Sequence, residues 1–249
     1  MIKILSYILT VVYYLFFGLT LVFFHLVQVI CLRVFGYSAH KKSVDILNFF
    51  LLRCLNILGT SFDFDFKQEL PKDKPIIIVA NHQGTYDIPP MIWYLRKLHP
   101  KFISKKELGK GIPSISYNLR HGGSVLIDRK DKKQAIQAIK DITQYLNDTN
   151  RSVIIFPEGT RSRDGVPRRF ATGGLKTLFE AMPTALVLPV TIHNSWKLMR
   201  WGAFPMQVGV NVTHKVHNPI PVNSKPALAL IKEVESIVLS DFDEIRPAR

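Results

Sequence analysis

The sequence predicts an α/β fold: a central mixed, mostly parallel sheet flanked by helices, with an N-terminal two-helix membrane-anchoring motif ahead of it. Short apolar runs rich in β-branched residues, at 76–80, 124–127, 153–156 and 185–192, have the length and composition of buried parallel strands. Helical patterns separate them. The clearest follows Asp131 and Gln134, a capping-box-like start, after which Ile136, Ile139, Ile142 and Leu146 recur on one face. Ahead of this alternation, residues 4–24 carry no charge and are long enough to cross a bilayer.

With 249 residues the chain can hold one good-sized α/β domain and an appendage. The expected division is 1–60 for membrane-associated helices and 61–249 for the α/β domain. Hydrophobic residues make up 47% of the chain, and the mean hydropathy of +0.11 is high for a freely soluble protein, so part of the surface should meet lipid. The net charge of +14 implies attraction to anions, whether phosphate-bearing substrates, anionic headgroups or nucleic acid. Cys31 and Cys54 both lie in apolar segments, which suits free buried thiols better than a disulfide framework or a metal site.

The first apolar run does not read as a signal peptide: only Lys3 precedes it, it exceeds the usual apolar core, and no small-residue cleavage site follows. A second run, 46–58, is interrupted by Asn48, Arg53 and Asn56 and is too short to span. Between them lies His40-Lys41-Lys42, so the pair predicts two helices joined at a basic elbow, either a spanning anchor with an interfacial helix or a hairpin dipped into one leaflet. If the first helix spans, Arg33, Lys41 and Lys42 place the main domain on the cytoplasmic side of the inner membrane.

The alternating stretch 61–66 predicts an edge or lead-in strand. The run 76–80 then ends abruptly at Asn81-His82, and Asp87 follows before Ile88-Pro89-Pro90. Open α/β sheets bind ligands beyond the carboxyl ends of their strands, where His82 stands. Asp87 suits two roles, an N-cap for the helix at 89–98 or a carboxylate reaching back to the imidazole. After a short strand at 102–103, Lys105, a helix at 114–120 and the strand 124–127 lead to Asp128-Arg129. The strand 153–156 ends in Pro157-Glu158-Gly159-Thr160-Arg161-Ser162, where glycine allows close backbone approach, Thr160 offers a donor and Arg161 a planar fork for phosphate or carboxylate. A basic loop with Arg168 and Arg169 and a helix at 174–181 follow. Pro189 inside the run 185–192 argues for an edge position or a bulge, a further strand is expected at 206–212, and Ile231, Val234 and Val238 mark a C-terminal helix.

His82-Gln83-Gly84-Thr85-Tyr86-Asp87 resembles the HX4D motif of the glycerophospholipid acyltransferases. Gly123 to Arg129 resembles their second block, Phe156 to Ser162 the third and Leu188-Pro189-Val190 the fourth, in the same order. The pattern is most like the bacterial 1-acylglycerol-3-phosphate acyltransferases, with Val125-Leu126 standing where Phe or Tyr is common. The resemblance implies that His82 is a general base oriented by Asp87, and that Arg129 and Arg161 hold the glycerol phosphate. Glu158 would help position the acceptor, Gly159 and Thr160 would shape the loop around it, and Lys105 is a further candidate contact. The co-substrate would be an acyl-CoA or acyl carrier protein thioester, the other partners a lysophospholipid and membrane lipids, and no further cofactor is needed.

The chemistry agrees with this. A lysophospholipid hydroxyl is a poor nucleophile near neutral pH, and a positioned imidazole can take its proton as it attacks a thioester. A membrane-tethered protein binding lipid or nucleic acid would explain the charge but not a His and an Asp beside a Glu-Gly-Thr-Arg loop, so nucleic acid is not an expected partner. No Gly-x-Ser-x-Gly elbow is present for a hydrolase. Zinc at His193, His214 and His217 is disfavoured, because a spacing of three on a strand puts two side chains on opposite faces. Within the family, the alternative acceptor is another lysolipid, such as a lyso-ornithine lipid or a lysophospholipid with a larger headgroup.

Overall fold

The computed structural model describes residues 2–66, 69–71, 73–128 and 130–242. Eight strands form one sheet: β1 (Ser61–Asp65), β2 (Ile76–Ala80), β3 (Lys101–Lys105), β4 (Val125–Ile127), β5 (Val153–Ile155), β6 (Leu186–His193), β7 (Asn211–Val216) and β8 (Ile220–Pro221), in the order β1-β7-β6-β2-β5-β3-β4, with β8 beside β6. Pairing is parallel except where β6 meets β7 and β8. The sheet is therefore mixed and mostly parallel, as expected.

Every residue of β2 is buried, which its uninterrupted apolar run requires of a strand covered on both faces. Ile76, Ile78 and Ala80 face a core built with α2 (Ile88–Tyr94) and the N-terminal helical segment. Ile77 and Val79 face the other core, closed by α4 (Lys132–Thr149), α5 (Thr172–Ala181) and α6 (Ala227–Leu239). Helix α4 starts as its sequence dictates, with Asp131 Oδ1 accepting from the Gln134 amide at 3.0 Å.

Of the edge position or bulge that Pro189 predicts, the pairing takes the bulge, and the strand expected at 206–212 is displaced. Pro189 does not lie on an edge: β6 is paired on both sides, and Pro189 sits opposite Val79 of β2. On the other side, β6 pairs with β8 through Val187 and resumes with β7 at Val190, so two residues of β6 face the three residues 217–219. The missing proline N–H thus falls at a bulge in the partner, where no regular ladder bond is required. The strand expected at 206–212 begins only at Asn211. The apolar residues before it, Met206 and Val210, are buried as irregular chain.

The N-terminal segment differs more. In place of two helices joined at a basic elbow, one helical element, α1, runs over Ile2–Asn56, and His40, Lys41 and Lys42 lie inside it. Its backbone turns at Gly36, whose φ of 78° and ψ of −172° belong to glycine alone. The turn brings its arms together: Thr20 Oγ1 lies 3.6 Å from Cys54 Sγ, and Phe24 packs on Phe50 with ring centroids 5.6 Å apart. In a straight helix these pairs would stand about 40–50 Å apart. Cys31 and Cys54 are both free thiols.

The outward side of α1 is largely apolar, unlike that of a water-facing helix, and its inward side mixes polar residues with core residues such as Tyr13, Leu52 and Leu55. Ser6, Thr10 and Gln28 are fully buried, whereas Ile4, Ile8, Leu19, Leu26, Val34 and Phe35 are exposed. The inner side is fastened by polar bonds to the α/β body: the Met206 amide donates to Thr10 Oγ1, Tyr14 donates to the Ala203 carbonyl, and Ser114 Oγ, directly before α3 (Ile115–His121), donates to the Leu21 carbonyl.

Near the turn, Lys101 of β3 is almost fully buried and donates to Tyr37 and to the Gly122 carbonyl. Burial, then the Arg151 and Lys41 cations, push its ammonium down to about 7, with Asp45 opposing. An unfolded chain keeps that proton to about 10. Between these values the unfolded state binds more protons, so stability should rise with pH, and the folding penalty should be complete below about pH 7. Chemical unfolding in detergent should show Lys101→Met gaining most on the parent at and below pH 7, with the difference shrinking towards pH 10. Parallel curves would contradict this origin of the penalty.

Candidate active site

The adjacent strands β2 and β5 deliver His82 and Glu158 just beyond their carboxyl ends, with β6 on the other side of β2. Asn81, the first residue beyond β2, fixes that end: its Nδ2 donates to the Ile192 carbonyl at 2.9 Å and its Oδ1 accepts from the Ile192 amide at 2.7 Å. The next residue, His82, is thereby aimed out of the sheet. Its ring stacks on Phe156 at the end of β5, with centroids 4.3 Å apart.

Asp87 precedes α2 but does not cap it. Its side chain turns back instead: Oδ2 lies 2.8 Å from His82 Nδ1, 2.8 Å from the Gln83 amide and 3.0 Å from the Gly84 amide. Of the two roles open to Asp87 from sequence, the geometry takes the imidazole partner, while Pro89 and Pro90 start the helix. Asp87 is fully buried. Burial pushes its carboxyl up, but the His82 bond and charge, the Gly84 amide and the Ser195 hydroxyl outweigh it, and the group lies below the usual carboxylate range. An ionised Oδ2 only accepts, so Nδ1 carries the proton and Nε2 is left with its lone pair. The His82 side chain keeps 14% of its surface exposed, enough for a substrate to reach that nitrogen.

Glu158 is buried, and its carboxylate is spent on the protein. Oε1 accepts from the His82 amide at 2.7 Å, and Oε2 from Ser162 Oγ at 2.5 Å and the Arg168 amide at 2.7 Å. The Ser162 amide returns a bond to the His82 carbonyl at 2.7 Å. Burial raises the Glu158 carboxyl, and these donors only partly offset it. In this geometry Glu158 joins the β2 and β5 loops.

Gly159 and Thr160 are exposed, and Gly159, with φ of 70°, makes the tight turn in which its amide bonds the Phe156 carbonyl. Arg161 donates to Thr85 Oγ1, which places its guanidinium over the His82–Asp87 turn. Lys105 is exposed at the end of β3, separated from β2 by β5. Arg129 lies outside the described residues. His193, His214 and His217 do not converge: His193 pairs with Asp241, His217 with Thr191, and His214 is buried against Phe64. Sequence patterns gave no role to Asn81, Thr85, Phe156, Ser162 or Ser195. The available signal was polar residues flanking the strand-end His and Glu.

Residues 61–193, more than half of the chain, match the family model described as Acyltransferase. The chain belongs to the acyltransferase family. Among similar proteins, the 1-acyl-sn-glycerol-3-phosphate acyltransferase of Helicobacter pylori is 38% identical over 135 residues, covering 51% of this chain and 54% of that one. The chloroplastic 1-acyl-sn-glycerol-3-phosphate acyltransferase LPAT1 of Arabidopsis thaliana is 30% identical over 177 residues, covering 71% of this chain and 48% of that one. The matched stretch thus spans about half the length of these relatives. The crystal structure of the 1-acyl-sn-glycerophosphate acyltransferase PlsC from Thermotoga maritima superposes over 100% of both chains, with a TM-score of 0.79 and 27% identity.

Glu158→Gln leaves one acceptor oxygen for contacts that now use two. The substitution should cost about 1–3 kcal/mol of stability. It should also lower kcat by up to about 10²-fold through displacement of His82. Thermal unfolding and turnover of the same preparation check both.

Proposed function

We propose that this acyltransferase moves a fatty acyl group from a thioester donor, acyl-CoA or acyl carrier protein, to the sn-2 hydroxyl of 1-acylglycerol-3-phosphate, giving phosphatidate. The observation that carries the proposal is the His82 ring at the end of β2, with Nδ1 bonded to the buried Asp87 and Nε2 free to act. The activity named for the relatives above supports it.

The acceptor hydroxyl gives its proton to His82 Nε2 while its oxygen attacks the thioester carbonyl. Asp87 holds the tautomer and stabilises the imidazolium, as a carboxylate does in Ser-His-Asp hydrolases, with the substrate hydroxyl replacing the serine. Collapse of the tetrahedral intermediate breaks the C–S bond, and the departing thiolate takes the proton back from the imidazolium. No acyl-enzyme forms. Arg161, lying over the turn, and Arg129 supply positive charge to the acceptor phosphate, with Gly159 and Thr160 forming the loop around it and Lys105 as an outer contact.

Residues 1–60 act as the membrane-associated part and 61–249 as the catalytic domain. The exposed apolar side of α1 lies in the lipid, holding the site at headgroup level on the cytoplasmic face of the inner membrane. The surplus of positive charge adds attraction to anionic lipid.

Purified protein in detergent should convert 1-acylglycerol-3-phosphate and one of the two thioesters to phosphatidate. His82→Ala should lower turnover by about 10²- to 10⁴-fold. Turnover with a different lysolipid alone would change the acceptor and keep the mechanism. Full activity in a folded His82→Ala protein would refute the mechanism.

A further inference from the structure

The Asp87 carboxylate is used from one side only. Oδ2 takes the His82 ring and two amides, whereas Oδ1 is buried and has no hydrogen-bond partner among the described residues. Leaving a buried anionic oxygen bare is costly, so a donor is expected beside it.

Ser195 stands there. It begins a short helical turn, Ser195–Met199, just beyond β6, is 1% exposed, and its Oγ also completes no hydrogen bond among the described residues. A Cβ built on Gly84, whose amide binds Asp87, would come within 2.9 Å of Ser195 Oγ, so the hydroxyl presses on the turn that carries the carboxylate. After the larger effects of burial, His82 and Gly84, the same hydroxyl helps to keep Asp87 ionised. Beyond them β7 supplies His214, fully buried, stacked on Phe64 with ring centroids 5.2 Å apart, and with both ring nitrogens unpartnered among the described residues. Burial pushes His214 down to about 4, so it is neutral, while Asp87 pulls it the other way.

The geometry points to Ser195 as a positioning residue: by rotation about its Cα–Cβ bond, its hydroxyl donates to Asp87 Oδ1 and fixes the carboxylate that aims His82. This role rests on the assignment of His82 as base. An apolar residue of the same size would fill the space equally well but would leave Oδ1 bare. A donor at Oδ1 also draws charge away from Oδ2. Without it the protonated His82 ring is favoured, and the acid limb of the rate profile moves to higher pH. The titratable and charged groups facing this pair are His214 towards Asp87 from β7, Glu158 towards His82 from the β5 loop, and the Arg161 guanidinium over the turn. All three stay intact in the variants below.

The test uses the full chain in detergent with isotope-labelled histidine, comparing the parent with Ser195→Ala and Ser195→Cys. The first readout needs no turnover: the His82 Nδ1 proton, bonded to Asp87, gives a downfield resonance that should move or broaden in Ser195→Ala. The second is the pH profile with lysolipid and thioester. Ser195→Ala should lower kcat about tenfold at unchanged KM and move the acid limb to higher pH. Ser195→Cys, which keeps the volume but donates weakly, should fall between. An unmoved resonance, a kcat and acid limb matching the parent, or a rate loss that merely tracks thermal stability would overturn the role. A parent inactive on every lysolipid would refute the proposed reaction, and the resonance would still decide the role of Ser195.

Discussion

The contact between the Asp87 carboxylate and the His82 imidazole organises this molecule, because a fully buried anion can exist only where donors are already in place. Burial alone drives Asp87 towards neutrality, and the His82 ring with two consecutive amides reverses that. Those amides point at Oδ2 only because the chain leaves β2 in a tight turn. The turn holds because β2 is clamped on both sides, by Asn81 to β6 and by Glu158 to the loop after β5. The burial that makes β2 rigid thus serves the chemistry at its end. A side chain aimed from a buried central strand has little freedom to lose on forming a reactive geometry.

Glu158 follows the same logic with a different result. It is buried too, yet its carboxyl is raised, because its donors, one hydroxyl and two amides, include no imidazole bond like that to Asp87 and only partly offset its burial. One carboxylate is held firmly charged beside the imidazole, and the other ties loops together through the backbone. Helix α1 adds a third constraint. Its inner side joins the core and is fastened by polar bonds to Met206, Ala203 and Ser114, and its exposed side is largely apolar. The apolar surface is therefore fixed relative to the strand ends.

Much of this was legible in the sequence where one physical cause dominates. The uninterrupted run of β2 needs burial on both faces, and the Asp131 cap with its helical repeat specifies α4, so both appear close to where the pattern sets them. Legibility failed where tertiary geometry overrides local preference. The basic residues 40–42 look like an elbow, but the turn falls at Gly36, because backbone conformation decides where a helix reverses and charge does not. Pro189 leaves edge and bulge both open, and only the pairing decides: β6 is paired on both sides, and residues 217–219 opposite it bulge and remove the need for its N–H. At the site, His82 and Asp87 stood out because their spacing is local. The direction of Glu158 towards the backbone of His82, 76 residues away, depends on β2 and β5 being neighbours and leaves no trace in local sequence.

The most direct test of the central contact is the turnover of Asp87→Asn in detergent, with fold checked by circular dichroism. The amide keeps the size of the carboxylate and an acceptor for the turn, but it can present an N–H to His82 Nδ1 and so force the proton onto Nε2. If the carboxylate sets the tautomer, kcat should fall by about 10³- to 10⁴-fold while the fold is retained. A folded Asp87→Asn protein turning over within about tenfold of the parent would mean that His82 does not depend on this carboxylate, and the account of the site would fail.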